Sequence, residues 1–203
     1  MIFQSENLLT LAGQVASSPV FSHESHNERF VSFNLRIERL SKACDIIKVI
    51  VHEEKIHALQ PAIGDFVELA GELRSFNNKS GIGSRLIVTA YVRTISTCEA
   101  VFKNELTISG IICKKPVYRK TPLGREICDI MLAINRRYGR ADYLPCIVWG
   151  KNAFSASDLR IGCPVTILGR VQSREYVKTI DAAQETRVTY EVSVSKIEPI
   201  ELP

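Results

Sequence analysis

Apolar and polar residues alternate with a period of two over most of this chain. The stretches Glu105–Cys113, Ile127–Arg136, Tyr143–Trp149, Val165–Arg174 and Val188–Ile197 are rich in β-branched residues or alternate in this way, the pattern of half-buried strands. Thr121-Pro122-Leu123-Gly124 and Ile161-Gly162-Cys163-Pro164 divide them with turn chemistry. Between the third and fourth strands, Asn152–Leu159 is polar with scattered apolar positions. It predicts a short helix that plugs a barrel end, with Phe154 turned to the core. Five strands with a helix between the third and fourth is the order of an OB-fold.

The same pattern occurs twice. With a shift of 97, Leu9-Thr10-Leu11-Ala12-Gly13 meets Leu106-Thr107-Ile108-Ser109-Gly110, and Phe33, Leu35 and Ile37 meet Ile130, Leu132 and Ile134. Arg39 meets Arg136 and Asp45 meets Asp142. With a shift of 98, Gly64, Val67, Leu69 and Gly71 meet Gly162, Val165, Ile167 and Gly169. Glu53–Leu59 is the matching helix of the first copy. The predicted fold class is therefore all-β: two five-stranded OB-fold barrels in tandem, over 1–100 and 101–203, each with a short helix between strands 3 and 4. Glycines within strands, at 13, 71, 110 and 169, suit sharp bends in small closed barrels.

Alternation also sorts side chains by face. In the third strand of the second copy, Leu144, Cys146 and Val148 take one side, and Tyr143, Ile147 and Trp149 the other. In the fourth, Val165, Ile167 and Val171 oppose Arg170, Gln172, Arg174 and Tyr176. The first set of each strand reads as core. The second mixes aromatic rings with guanidinium groups, which a core does not tolerate unpaired. Rings stack on bases of any sequence, and Arg and Lys neutralise phosphates. Tyr143 and Trp149, six residues apart, span roughly 20 Å of strand. A core tryptophan with its N–H satisfied is the other reading of Trp149. Tyr138, with Arg136, Arg137 and Arg140 around it, falls on a predicted hairpin loop suited to clamping a strand, or simply solvated. Arg119 lies in the first hairpin, and Lys178 and Arg187 flank the last. The first copy has Ile46, His52, Ser41 and Asn78 where the second has Tyr143, Trp149, Tyr138 and Tyr176, and Glu68 and Glu72 on its fourth-strand stripe. Its binding face therefore reads as degenerate.

Charge sharpens this division. Residues 1–100 hold 10 Lys+Arg against 11 Asp+Glu, and residues 101–203 hold 16 against 11. A neutral half and a basic half suit one copy that holds a phosphate backbone and one that does not. The 203 residues are 45% hydrophobic and 24% charged, an ordinary globular composition. No apolar run is long enough for a membrane span, and no secretory leader opens the chain. Six cysteines without a Cys-x-x-Cys pair argue against zinc and for a reducing cytoplasm, with Cys113, Cys128 and Cys146 as buried thiols.

Several motifs of the second copy resemble the bacterial single-stranded-DNA-binding protein family. These are Pro116-Val117-Tyr118-Arg119-Lys120-Thr121-Pro122-Leu123-Gly124, Tyr143-Leu144-Pro145-Cys146-Ile147-Val148-Trp149-Gly150-Lys151, Gly169-Arg170-Val171-Gln172-Ser173-Arg174-Glu175-Tyr176 and Thr189-Tyr190-Glu191-Val192. The resemblance implies base stacking by Tyr138, Tyr143, Trp149 and Tyr176, and binding without a cofactor. Members of that family assemble as tetramers of single folds, so a homodimer of this chain is expected to form four barrels. The acidic C-terminal recruitment tail common in the family is not seen before Ile200-Glu201-Leu202-Pro203.

No phosphate-binding Gly-rich loop, Gly-x-Ser-x-Gly elbow or metal-ligand cluster is present, which argues against an enzyme. Two alternatives to sequence-tolerant single-stranded DNA binding stay open. One is a replication scaffold resembling primosomal replication protein N, acting mainly through protein contacts. The other is single-stranded RNA binding.

Overall fold

A computed structural model of the chain describes residues 5–78, 84–180 and 183–201. The first repeat runs β1 (Glu6–Val15), β2 (Val20–Ser25), β3 (Glu28–Glu38), β4 (Cys44–His52), α1 (Glu53–Leu59), β5 (Phe66–Asn77) and β6 (Leu86–Thr97). The second runs β7 (Lys103–Ile112), β8 (Val117–Lys120), β9 (Glu126–Asn135), β10 (Ala141–Trp149), α2 (Lys151–Ser157), β11 (Pro164–Ile180) and β12 (Ala183–Pro199). In the second repeat β7 pairs with both β9 and β11, β9 with β10, β10 in parallel with β12, and β12 with β11. This closes a five-stranded barrel with one parallel contact, and β8 is an extra short strand hydrogen-bonded to β9. The first repeat closes in the same way, through β1, β3, β4, β6 and β5. Both are OB-folds.

Closure requires the first strand of each barrel to serve two neighbours, so its backbone bends closely past another strand. At Gly110 on β7, an added Cβ would stand 2.6 Å from the carbonyl oxygen of Ala133. No side chain fits there, which is why the strand carries glycine. Inside, Leu132, Leu144, Cys146, Ile167, Val171 and Val192 are buried, as their alternation requires.

By contacts the chain divides into two compact units: Leu8–Arg74 with Val88–Glu105, and Leu106–Pro203 with Met1–Asn7 and Ser75–Ile87. The far end of the β5–β6 hairpin thus belongs with the second barrel, whereas a cut at residue 100 assigns it to the first.

Three expectations are corrected. Phe154 is 66% exposed, because Ala153 and Ala156 form the inner face of α2 and Phe154 lies between them on the outside. Its ring meets Tyr118 edge-on at 6.3 Å. Strands β11 and β12 are also longer than predicted and pair continuously out to Ile180 and Ala183. Cys128 and Cys146 are buried, but Cys113 is only half-buried, and all six cysteines are free thiols.

Candidate nucleic-acid interface

Strand register assembles the outward residues of the second barrel into one surface. On β10, Trp149 stands opposite Ile127 of β9, Ile147 opposite Asp129 and Tyr143 opposite Ala133. Ile147 also neighbours Ser193 of β12, and Ser193 faces Arg170 of β11. Further along the ribbon, Gln172 faces Glu191, Arg174 faces Thr189 and Tyr176 faces Arg187. Partnered residues of adjacent strands share a face. Tyr143, Trp149, Arg170, Arg174 and Tyr176 therefore lie on one side of the barrel wall.

The aromatic residues differ in exposure. Tyr143 is 50% exposed. Trp149 and Tyr176 are half-buried. The Trp149 Nε1 is sealed from solvent and has no hydrogen-bond acceptor among the described residues, so the satisfied core tryptophan is not what the structure contains. Ile147, expected outward, is on the outer side but buried, between Asp129 of β9 and Ser193 of β12 in the register. Tyr138 is 96% exposed, at the tip of the β9–β10 hairpin. It adopts a left-handed φ of 62° inside the 3-10 turn Arg137–Gly139, and the turn is closed by the Arg136 N–H donating to the Arg140 carbonyl at 2.8 Å.

The predicted cations differ in their surroundings. Arg140 and Arg170 are exposed. Arg187 is half-buried and has an electrostatic or hydrogen-bond partner. The side chains of Arg137 and Lys178 lie outside the described residues. Arg136, Arg119 and Arg174 each meet a carboxylate. Arg136 Nε lies 3.3 Å from Oδ2 of Asp142, which is 0% exposed. The Arg119 Nη2 donates to Asp129 Oδ1 at 3.1 Å. Hydrogen bonding to Asp129 raises the Arg119 pKa; partial burial opposes this, and the charges of Asp129 and Glu191 support it. Arg174 Nε is 3.6 Å from Oε2 of Glu191.

Sequence reading missed Asp129 and Glu191, two carboxylates on this face. Arg39 and Asp45 recur as Arg136 and Asp142. Both pairs bridge the same turn. In the first barrel Arg39 Nε donates to Asp45 Oδ2 at 2.7 Å, and a second guanidinium nitrogen reaches Oδ1. The turn is thus clasped in both barrels, in the second by an ion pair in which Arg136 Nε makes no hydrogen bond among the described residues.

The first barrel's outer face has its own aromatic cluster. The His23 ring stacks on Phe30 at 4.9 Å, and Phe30 meets His52 at 5.5 Å and Tyr91 at 5.7 Å. Arg74 lies over Tyr91 at 4.6 Å and Arg29 over Phe21 at 4.8 Å. The two stripe carboxylates are matched by cations. Glu72 pairs with Arg74 at 2.6 Å and with Arg93, and Glu68 lies 3.5 Å from Lys103. Burial pushes the Glu72 pKa up, but Arg93 and Arg74 together outweigh it and hold the carboxyl below its ordinary value.

A model of the Single-strand binding protein family matches residues 103–200. The Single-stranded DNA-binding protein 2 of Listeria innocua serovar 6a is 34% identical over 80 residues, covering 36% of this chain and 50% of its own. The Single-stranded DNA-binding protein 3 of Clostridium acetobutylicum is 33% identical over 91 residues, covering 41% and 60%. The chain thus spans about half the length of the curated relatives it matches. The crystal structure of wild-type single-stranded DNA binding protein from Thermus aquaticus superposes with a TM-score of 0.80 at 18% identity, over 99% of this chain and 96% of that one. That likeness bears on the fold, which the two chains share along nearly their whole length. Residues 103–200 of this chain are thus similar to the single-strand binding protein family.

Proposed function

We propose that the chain binds single-stranded DNA with little regard to sequence, through the outer face of the second barrel. Tyr143, Trp149 and Tyr176 offer stacking surfaces there, Tyr138 adds one at the hairpin tip, and Arg140, Arg170 and Arg174 take phosphates. One observation carries the reading: the strand register puts three aromatics and two arginines, residues remote in sequence, on a single side of the barrel wall. The family match over residues 103–200 supports the same function, since the matched relatives are named for it. Bases stack on such rings regardless of identity, and the arginines add a salt-dependent term.

The chemistry is binding alone, in a cytoplasmic setting, with the first barrel as the lesser contributor. Two chains would bring four barrels together, the number common in the family. Among the described residues no helix is long and apolar enough to cross a membrane.

The test is a set of parallel titrations of the whole chain with labelled oligo-dT, a duplex and an RNA strand of the same length. The reading expects tight, salt-sensitive binding to oligo-dT and much weaker binding to duplex. Equal affinity for duplex would refute it, and preference for RNA would reassign the ligand.

A further inference from the structure

We infer that Ser75, at the end of β5, is a positioning residue for Tyr143 in DNA binding; the inference rests on the single-stranded DNA reading above. Strand β10 pairs with β9 along its whole length, but with β12 only at Cys146–Val148. At Tyr143 the edge away from β9 therefore has no strand partner among the described residues, and a backbone donor there needs another acceptor. Ser75 provides it. Its Oγ accepts the Tyr143 N–H at 2.7 Å, and its own N–H donates to Asp142 Oδ1 at 2.7 Å. Ser75 is 5% exposed. One small residue thus holds two successive residues of β10, across 68 positions of sequence.

A second residue, in the segment joining β5 to β6, also reaches the second barrel. Ser84 Oγ donates to the Val188 carbonyl of β12 at 2.8 Å, and the Asn78 N–H donates to the Arg85 carbonyl at 2.7 Å. Ser75–Ile87 accordingly belongs to the compact unit that carries the second barrel. The first repeat therefore supplies part of the frame of the second repeat's binding face. The Tyr143 ring is half in solvent, and the hydrogen bond at its own backbone N–H limits where that ring can sit. A stacking platform is effective only when it is held in place before the base arrives.

The experiment is a double-mutant cycle read by oligo-dT affinity, with thermal unfolding recorded for every variant. Ser75→Ala is expected to weaken binding roughly three- to tenfold, the span of a typical hydrogen bond. In a Tyr143→Ala background the same change is expected to have almost no further effect. In a Tyr176→Ala background its full effect is expected. Ser75→Thr, which keeps the hydroxyl, is expected to bind as the parent does, and its isostere Ser75→Val as weakly as Ser75→Ala. The Thr/Val pair carries the test alone if the alanine variant does not fold. Equal weakening by Ser75→Ala in all three backgrounds, or equal binding by the Thr and Val variants while Tyr143→Ala weakens it, overturns the positioning role and leaves the DNA reading intact. If neither Tyr143→Ala nor Ser75→Ala changes affinity, the stacking reading fails together with it.

Discussion

Arg174 on β11 and Glu191 on β12 stand diagonally across the ribbon, with Nε 3.6 Å from Oε2, and the carboxylate is 7% exposed in the middle of the aromatic face. A carboxylate there competes with phosphate for the same guanidinium. Glu191→Gln is expected to tighten oligo-dT binding at low salt and to steepen the fall of affinity with salt. Anisotropy titrations at several salt concentrations measure both. An unchanged or weaker affinity counts against Arg174 as a phosphate contact.

The aromatics are expected to contribute one by one. Tyr143→Ala and Tyr176→Ala should each weaken oligo-dT binding by about 1–3 kcal/mol, measured by calorimetric titration. Phe154→Ala, which removes an exposed aromatic residue of α2 rather than of β10 or β11, is expected to leave affinity unchanged.

Two arginines separate structure from binding. Arg136→Ala leaves the buried Asp142 carboxylate without its cation and is expected to destabilise the fold by up to about 3–5 kcal/mol, read by denaturant unfolding. Arg170→Ala removes an exposed cation, so stability should stay within about 0.5 kcal/mol. Its effect is expected in the salt dependence of binding, with a slope smaller by about 0.7.

The barrels were legible in the sequence because strand periodicity and core burial point the same way. Leu144, Cys146 and Val148 are buried and Tyr143 is exposed, as alternation dictates, and α1 spans the predicted Glu53–Leu59. Parity placed Ile147 on the correct side but did not show its burial, since a single strand does not reveal its neighbours. The core assignment failed at Phe154 because two alanines suffice to seat a two-turn helix. The pairing of Arg174 with Glu191, and of Ser75 with Tyr143, depends on register between distant segments, which local pattern does not encode. The Arg136–Asp142 clasp was visible in principle: the same two residue types recur six apart in both repeats.

Thiol chemistry reports on burial independently of DNA. Burial pushes the Cys128 thiol up, and pushes the Cys146 thiol up further, with a small addition from Cys113. With the folded-state pKa raised, the thiol's contribution to stability is intact at neutral pH and declines as pH rises past the ordinary thiol value of about 8.5. In the folded chain at mildly alkaline pH, a thiol reagent is expected to modify exposed Cys44 rapidly and to reach Cys128 and Cys146 only on unfolding. Mass mapping of the modified cysteines checks the order.

The most direct measurement uses Trp149, the one tryptophan of the sequence, as its own probe. Its emission is followed while oligo-dT is added to the whole chain at increasing salt. The predicted result is a saturable quench, with an affinity that falls linearly in log–log form as salt rises, and no comparable quench by duplex. Binding of oligo-dT that leaves Trp149 emission unchanged, or a quench that duplex reproduces in full, would contradict the claim that this face receives unpaired bases.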